Sequence, residues 1–260
     1  MNPVRIYGII LRHYFLATHQ LERIFDAFFL PLISLVMFGF LANYISVLQT
    51  PNFASFLIGG LILWMIFERV GSDIGVNFMY EVWDRNIINI LASPLTYIEF
   101  ISGLVVIGII KILISFFAMC LVAMLFYNFN LFSLGIGLAA IWVNIIIFAI
   151  SFGIFNVSLV VRFGNSIGPL TWILPFALQP LSGAFYPISI LPDFMQKIAY
   201  ILPLSHDFEG MRHLMKTHQF DFNSFLIASI LNLIYFIFSI LFFSFIFRIV
   251  RKSGRLVKIN

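Results

Sequence analysis

Four charged side chains interrupt two otherwise apolar runs and are the first candidates for chemistry in this sequence. Glu68, Arg69 and Asp73 follow a long apolar stretch, and Lys111 lies inside another. A charge in the interior of a bilayer costs on the order of 3 kcal/mol, so such residues are usually paired or line a polar path. Arg69 and Asp73 can pair on one helix, and Glu68 can meet Lys111 from a neighbouring helix. We expect these charges near the inner edge of the membrane, where they either line a pathway or hold two helices together.

Other residue types that perform catalysis or bind metal ions form no recognisable motif. None of the five lysines follows a glycine, so the phosphate-binding GxxxxGK[ST] loop is missing and this chain is not itself a P-loop ATPase. The five histidines have no HExxH or CxxC partner, and the spacing of His213 and His218 does not place both on one helix face. The sequence therefore predicts no catalytic residue, no metal site and no cofactor on this chain.

The composition places the chain in a membrane. Of its 260 residues, 62% are hydrophobic and 10% are charged, whereas a soluble domain carries about 25% charged residues. A net charge of +4 suits loops that face anionic lipid better than a nucleic-acid surface, since no exposed basic domain is evident. The single cysteine, Cys120, excludes an internal disulfide. Because the first apolar run is too long for a signal peptide, we expect the N-terminus to be retained.

The hydropathy pattern predicts an all-α polytopic protein whose residues 1–260 form one transmembrane domain. Apolar runs long enough for a bilayer core of about 30 Å predict six spans. The second of them must continue through the charges at 68–73, and three prolines kink the fifth. The approximate spans are 24–48, 53 to beyond 73, 98–127, 131–161, 166–186 and 224–247.

Both ends of the chain carry basic residues beside the predicted spans. In residues 3–22, Arg5, Arg12 and His19 recur every seven positions, which predicts an amphipathic helix lying in the membrane interface. The alternative is a tilted start to the first span. Residues 248–260 form a basic tail that we expect in the cytoplasm.

The connection at residues 80–97 carries a short amphipathic pattern. Its apolar positions have helical spacing and are bordered by charged ones, which predicts a helix outside the hydrocarbon region. This helix could insert into a groove on a cytoplasmic partner or rest on lipid. The apolar positions are Trp83, Ile87, Ile90 and Leu91, and the charged positions are Glu81, Asp84 and Arg85.

The predicted re-entrant and external segment, residues 181–223, begins with an apolar stretch at 181–212 that cannot form one continuous helix, and it ends in a polar piece at 206–223. Pro187, Pro192 and Pro203 each lack a donor N–H and clash with the preceding turn. Broken backbone at membrane depth persists only against protein or a water-filled cavity, so we predict a re-entrant segment. The alternative is a surface helix packed over the bundle. The positions assigned to a pathway or gate here are Pro180, Gly183, Tyr186, Pro187 and Pro192.

The distribution of Lys and Arg predicts the orientation. With the N-terminus inside, ten of these residues lie on the cytoplasmic side and three on the outer side, so both termini are expected in the cytoplasm and the re-entrant segment outside. The cytoplasmic set is Arg5, Arg12, Arg23, Arg85, Arg162 and the five residues of the tail, and the outer set is Lys197, Arg212 and Lys216.

A series of short elements over about 30 residues resembles the membrane subunits of ABC-2 type transporters. These elements are Ser182-Gly183, Tyr186-Pro187, Leu191-Pro192, Pro203-Leu204, Glu209 and Arg212. The resemblance implies the permease half of an exporter in the cytoplasmic (inner) membrane. It also implies a second permease subunit, expected to be an identical copy, and a separate nucleotide-binding ATPase that holds ATP and Mg. The helix at 83–91 would then be a coupling helix pressed into that ATPase.

The cargo is less defined than the architecture. Apolar gating segments suit an amphipathic or lipid-linked substrate, such as a drug, lipid, glycolipid or polysaccharide. The RYxGSxLGxLW-like pattern associated with some polysaccharide permeases is replaced by RHYFLATHQLERIF. A channel without ATP coupling or a membrane assembly scaffold is the alternative function. A membrane-embedded enzyme would need polar catalytic residues clustered at one depth, and the charges in this sequence are scattered.

Overall fold

The computed structural model describes residues 1–19, 21–48 and 53–252, and every regular element in these ranges is a helix. This confirms the all-helical prediction for the described residues. Short 3-10 turns occupy Leu131–Leu134, Gly164–Ile167 and Ile188–Ile190. The α-helices are α1 (Pro3–His19), α2 (Leu21–Leu48), α3 (Phe53–Trp83), α4 (Ile87–Ala92), α5 (Tyr97–Tyr127), α6 (Ile136–Phe163), α7 (Gly168–Ser182), α8 (Asp193–Ala199), α9 (Pro203–Thr217) and α10 (Phe222–Lys252).

Five of these helices are long and apolar enough to cross a membrane. They are α3, α5, α6, α10 and the part of α2 from Phe28 to Ile45. A helix pairs its backbone groups within the segment, which the hydrocarbon region requires. The predicted fifth span corresponds to α7, which has 15 residues and contains Pro175 and Pro180. At about 1.5 Å per residue, α7 alone is shorter than the hydrocarbon core, so its length does not establish a sixth span.

Although α7 is short, it follows α3 over a long distance. At its start, Gly168 lies against Met79 and Trp83 of α3. Beyond its end, the carbonyl group of Ala184 lies so close to Gly60 of α3 that any side chain at that glycine would overlap it. These two contact points are about 28 Å apart along α3. The chain from Gly168 to Ala184 therefore runs beside α3 through a distance close to the thickness of the hydrocarbon core.

The most buried span, α3, forms the centre of the bundle. Its Trp64 and Phe67 side chains are fully buried, and the Phe67 ring stacks on Phe148 of α6 with the ring centroids 5.3 Å apart. Gly75 allows close approach of Asn156 on α6, since a methyl group there would lie 2.6 Å from the amide nitrogen of that asparagine. In contrast, α10 leaves most of its surface exposed.

The shorter helices gather at opposite ends of the bundle. At one end, α1 contacts the end of α3 and the start of α5, and α4 lies between these two. At the other end, α9 contacts the starts of α3 and α6, where Gly59 lies near Met211 and Gly137 near Leu214. The predicted coupling region and the predicted re-entrant segment are thus at opposite ends.

The N-terminal helix ends earlier than predicted, and its basic side faces the bundle. Whereas the prediction extends it to residue 22, α1 ends at His19 and α2 begins at Leu21. The basic side turns toward the bundle, where Arg5 and Arg12 pair with buried carboxylates, and Tyr7 and Tyr14 are exposed on the outside. An apolar outer surface suits a helix at the membrane interface, while its charges anchor it to protein.

The predicted basic tail begins as a helix. In the structure α10 continues through Arg251 to Lys252, so residues 248–252 extend the last long helix. Residues 253–260, which include Arg255 and Lys258, lie outside the described residues.

Candidate functional site

The predicted coupling helix is broken after its first residue. Trp83 is the last residue of α3, and a turn separates it from α4, which begins at Ile87. Arg85 in this turn adopts the left-handed conformation, with φ of 54°, so the chain cannot continue as one helix. The prediction of a single helix over residues 83–91 is therefore wrong, and α4 contains only its C-terminal part.

Part of the predicted docking stripe faces the bundle instead of the surface. Ile87 is only 6% exposed. It lines an apolar crevice together with Ile90 and aromatic rings from α3, α5 and α10, and the side chain of Leu91 lies outside the described part of the chain. The outward surface of this region consists of Asp84, Arg85, Ile88 and Asn89.

Glu81 is a buried anchor, not a residue at the rim of a docking surface. It is 2% exposed, pairs with Arg12 of α1, and accepts a 2.7 Å hydrogen bond from the side-chain amide of Asn86. His13 Nε2 lies 3.9 Å from the same carboxylate. These contacts tie α1 and the turn before α4 to the end of α3.

A second buried carboxylate holds the other side of this region. Glu99, near the start of α5, accepts hydrogen bonds from the backbone N–H groups of Asn2 at 2.7 Å and Thr96 at 2.9 Å. The Arg5 guanidinium lies 3.4 Å from it. Because Thr96 also receives the N–H of Glu99, this forms a capping box at the start of α5. The helix α1 is thus fastened on both flanks of α4.

Trp83 connects this end of the molecule with α7. Its ring contacts Trp172 of α7 in an edge-to-face arrangement with centroids 6.2 Å apart, and it also packs on Tyr80. The side chain is 39% exposed. A displacement of the turn between α3 and α4 would therefore move Trp83 and, through this contact, Trp172 near the start of α7.

The charges within the spans pair differently from the prediction. The Nζ atom of Lys111 lies 3.3 Å from Oδ2 of Asp73, and Nε of Arg69 lies 3.2 Å from Oε2 of Glu68. The expected pairs, Arg69 with Asp73 and Glu68 with Lys111, are therefore wrong. Helical phase explains the difference, because Glu68 lies on the same stripe as Trp64, which contacts the chain after α7, whereas Asp73 lies on the side that faces α5.

The Asp73–Lys111 pair lies near the middle of α5. Lys111 is close to the midpoint of α5, about 20 Å from either end of that helix. The two side chains are 14% and 24% exposed, so the pair is largely removed from solvent-accessible surface. The pair joins α3 to α5. That it lines a pathway remains a prediction.

The residues of the predicted gate form a folded loop at the opposite end. Gly183 terminates α7 in the left-handed conformation, with φ of +72°, which favours glycine. The buried Arg212 guanidinium donates to the carbonyl group of Gly183 and to Oε1 of Glu209 at 3.0 Å. The same Glu209 oxygen accepts the N–H of Ile188 at 3.0 Å. Arg212, which was counted among the outer charges, is thus an internal link between α9 and the loop.

The remaining gate residues shape the same loop. The Tyr186 hydroxyl donates to the carbonyl group of Pro180 at 2.8 Å, Pro187 precedes the 3-10 turn at 188–190, and Pro192 immediately precedes α8. The apolar side of α8 is exposed, with Phe194 at 65%. Since α9 packs against α6 and α10, the segment is joined to the bundle, and its role as a gate stays a prediction.

Sequence reasoning missed a buried polar cluster between α6, α9 and α10. Asn144 donates to the Asp207 carboxylate at 3.2 Å and accepts from the Ser229 hydroxyl at 3.1 Å, while Asn232 donates to the Asn144 backbone carbonyl at 3.0 Å. Burial raises the pKa of the Asp207 carboxyl well above its usual range. Asn144 within an apolar run was one available signal, but nothing in the pattern distinguished Asp207 from other residues of a polar segment.

The family model of the ABC-2 type transporter matches residues 7–216, which include most of α1, the coupling region and almost all of α9. This chain belongs to the ABC-2 type transporter family. The resemblance recognised in the motif at residues 182–212 is thereby confirmed.

Curated relatives agree with this assignment. The inner membrane transport permease YadH of Escherichia coli (strain K12) is 22% identical over 165 residues, which is 62% of this chain and 62% of the relative. The protein of the same name from Shigella flexneri matches to the same extent. The match thus spans less than two thirds of the length of these relatives.

Proposed function

We propose that this chain is the permease subunit of an ATP-driven exporter. Two copies would enclose a path across the inner membrane, and a separate nucleotide-binding subunit would bind ATP and Mg and contact each copy. Family membership supports the general assignment. The arrangement of α4 supports coupling, because this short helix is held firmly on its inner side and offers side chains on its outer side.

The proposal depends most on the outward surface of α4 and of the turn before it. This surface comprises Asp84, Arg85, Ile88 and Asn89. It combines both signs of charge with an exposed apolar side chain, and Ile88 is 46% exposed. An apolar anchor surrounded by polar groups is typical of a helix that docks in a groove of a partner protein. A helix that only rests on lipid would instead turn a continuous apolar face toward the membrane.

Movement at this surface has two routes into the bundle. One runs through Asn86 and Glu81 into the end of α3, and the other runs through Trp83 to Trp172 at the start of α7. At its far end α7 leads into the loop held by Arg212. Closure of the ATPase would therefore shift α3 and α7 together and alter the loop at the opposite end. Such a change needs two states with different affinities for nucleotide or cargo.

The proposed orientation puts α1, α4 and both termini in the cytoplasm. Arg5, Arg12 and Arg85 lie at that end, together with the basic residues at the end of α10, and this agrees with an excess of positive charge inside. The chain from Gly168 to Ala184 would provide the sixth crossing beside α3. Each long helix and this segment then traverse the membrane in alternation.

The proposed cargo is amphipathic or lipid-linked, and the proposed partner in the membrane is a second copy of this chain. Broad apolar surfaces on α2 and α7 support both ideas, since Ile33, Met37, Trp172 and Ile173 are all more than 40% exposed. These surfaces can face lipid, a second subunit or the apolar part of a cargo molecule.

The docking surface is tested by co-purification. Ile88→Asp should abolish recovery of a P-loop ATPase with the tagged permease, because a charge would replace the apolar anchor, whereas Ile190→Asp should not. Ile190 is a matched control because it is 71% exposed but lies in the loop at the other end. Ile87 is unsuitable since its burial would couple docking to folding. Undiminished recovery of the ATPase with Ile88→Asp would refute the coupling surface.

A channel without ATP coupling predicts a different result. Wild-type protein would then co-purify with no P-loop ATPase, and reconstituted protein would pass its substrate without nucleotide. Mass spectrometry of the purified wild-type assembly distinguishes the two functions before any variant is made.

A further inference from the structure

Asp207 of α9 is a buried carboxylate with one unpaired oxygen. The residue is 2% exposed, and its Oδ1 atom accepts a single hydrogen bond of 3.2 Å from Asn144. Its Oδ2 atom is buried without any hydrogen-bond partner. One neutral donor does not replace the water that surrounds an ionised carboxylate, so burial favours the protonated acid. A proton on Oδ2 would remove the charge from this interior.

The helices that pack on Asp207 do nothing to stabilise a negative charge. From α6, Asn144 donates to the side chain and Ile141 lines the adjacent crevice, and α10 contributes Phe225, whose backbone carbonyl already accepts from Asn144 at 3.4 Å. None of the residues from α6 and α10 that line the adjacent crevice is titratable. A carboxylate between these groups therefore finds no cation from either helix.

Two titratable groups share this crevice with Asp207. His206 places its Nε2 atom 2.9 Å from the carbonyl oxygen of Tyr200, so that nitrogen is engaged away from Asp207. Asp221 has a lowered pKa, mainly because the Ser224 hydroxyl donates to it, with a smaller contribution from His213, and it remains ionised at neutral pH. Neither group thus supplies a positive charge to Asp207 in this arrangement.

A narrow opening connects this carboxylate with the surface. The crevice has a volume of about 10 Å³, room for about one water molecule, and is bordered by Phe220, which is 39% exposed, and by the half-buried His206 and Asp221. Water can enter such a space and carry a proton. The opening lies at the α9 end of the bundle, away from α1 and α4.

We propose that Asp207 is a proton-binding site whose occupancy holds α9 between α6 and α10. We call the arrangement in which α9 packs between α6 and α10 the docked state of α9. In this state the proton resides on Oδ2 and the carboxyl group is neutral. Its transfer from Oδ2 to water in the crevice leaves a carboxylate, which favours movement of α9 toward water. The site would make the segment between α7 and α10 respond to pH. The side of the membrane that supplies the proton rests on the proposed orientation, but the proton site itself does not.

The direction of the pH effect follows from linkage. Burial raises the pKa of Asp207 when α9 is docked, whereas an undocked aspartate would titrate near pH 4. The docked state therefore binds the proton more tightly and is favoured as pH falls. Above about pH 4, the ratio of docked to undocked protein should decrease by up to about tenfold per pH unit until the raised pKa is reached.

Infrared spectroscopy of the full chain in lipid nanodiscs tests the proton directly. Wild-type protein at neutral pH should show the carbonyl band of a protonated carboxylic acid, and Asp207→Asn should remove it. Asp221→Asn is the matched control, because Asp221 lies in the same crevice but is ionised, and the band should persist in that variant. An identical band in wild type and Asp207→Asn would overturn the proposal.

A labelling experiment tests the coupling to α9. In a Cys120→Ala background, Met211→Cys places a thiol at a fully buried position of α9, and Ser189→Cys provides an exposed thiol for normalisation. The normalised labelling rate of Met211→Cys should rise with pH, by up to about tenfold per unit, and this rise should vanish when Asp207→Asn is added. An unchanged rise with Asp207→Asn would refute the coupling.

A second variant keeps the test decisive if Asp207→Asn does not fold. Asn144→Ala removes the donor to the carboxylate, so the infrared titration should move to higher pH. A titration that does not move would contradict the proposal. Neither measurement requires the ATPase or a cargo, so failure of the proton site and failure of the export function are distinguishable.

Discussion

Asp73 and Lys111 illustrate how a charge is accommodated within a span. Each would be costly alone at this depth, and the 3.3 Å contact between them reduces that cost while joining α3 to α5. A buried ion pair adds little net stability compared with well-packed apolar side chains, but loss of one partner leaves the other charge unpaired. The pair is therefore best understood as a constraint on how α3 and α5 meet.

A double-mutant cycle tests this constraint. Lys111→Met should lower the melting temperature of the detergent-solubilised protein, corresponding to a loss of up to about 3 kcal/mol, because Asp73 is left unpaired. Asp73→Asn should have a smaller effect in the same direction. Combining both substitutions should recover at least half of the loss of the single Lys111→Met variant. Additive losses would show that the two side chains do not stabilise each other.

The sequence identified which residues carry unusual charge, but it could not assign their partners. Glu68 and Asp73 were recognised from hydropathy alone, yet their partners depend on which side of α3 each residue occupies and on which helices lie there. Asp207 was missed for a related reason. Its local sequence is polar, and its burial arises from α6 and α10, which are distant in sequence.

At the scale of elements, α1 acts as a brace for α4. Two arginines on its inner side reach Glu81 and Glu99, which stand at the end of α3 and the start of α5. The short α4 has six residues and could not hold its position through its own hydrogen bonds. It is held by burial of Ile87 and by the anchored turn before it.

Removal of one anchor should loosen the brace. Glu81→Gln retains the shape of the side chain but loses the ion pair with Arg12, so amide hydrogen exchange in α1 should become roughly tenfold faster, as expected for a loss of about 1.5 kcal/mol. The measurement is hydrogen exchange followed by mass spectrometry. Glu209→Gln, at the opposite end, should leave α1 unchanged. Equal exchange of α1 in wild type and Glu81→Gln would show that the ion pair does not anchor this helix.

Long elements were more predictable than short ones. Hydropathy located α2, α3, α5, α6 and α10 because continuous apolar runs leave the backbone no alternative to helix in a membrane. The break before α4 was not predictable, since the left-handed residue is Arg85 and not a glycine. Helical spacing continued across that break, so the pattern indicated one helix where the structure has two elements.

At the scale of the whole molecule, the regions proposed for coupling and gating are separated by the length of the spans. The surface on α4 lies at one end, and the loop that links α7 to α9 lies at the other, where Arg212 fixes it. The prolines of the sequence correctly indicated that this loop is not a continuous helix. Its close packing on α3 through Gly60 could not be inferred, because it depends on a contact between residues far apart in the chain.

Thiol labelling in intact cells tests the separation of these two regions across the membrane most directly. In a Cys120→Ala background, Ser189→Cys and Asn89→Cys each place an exposed thiol, one in the loop and one on α4. A membrane-impermeant reagent added outside should label Ser189→Cys at once and Asn89→Cys only after the membrane is permeabilised. Labelling of Asn89→Cys from outside, or of both positions from the same side, would contradict the account.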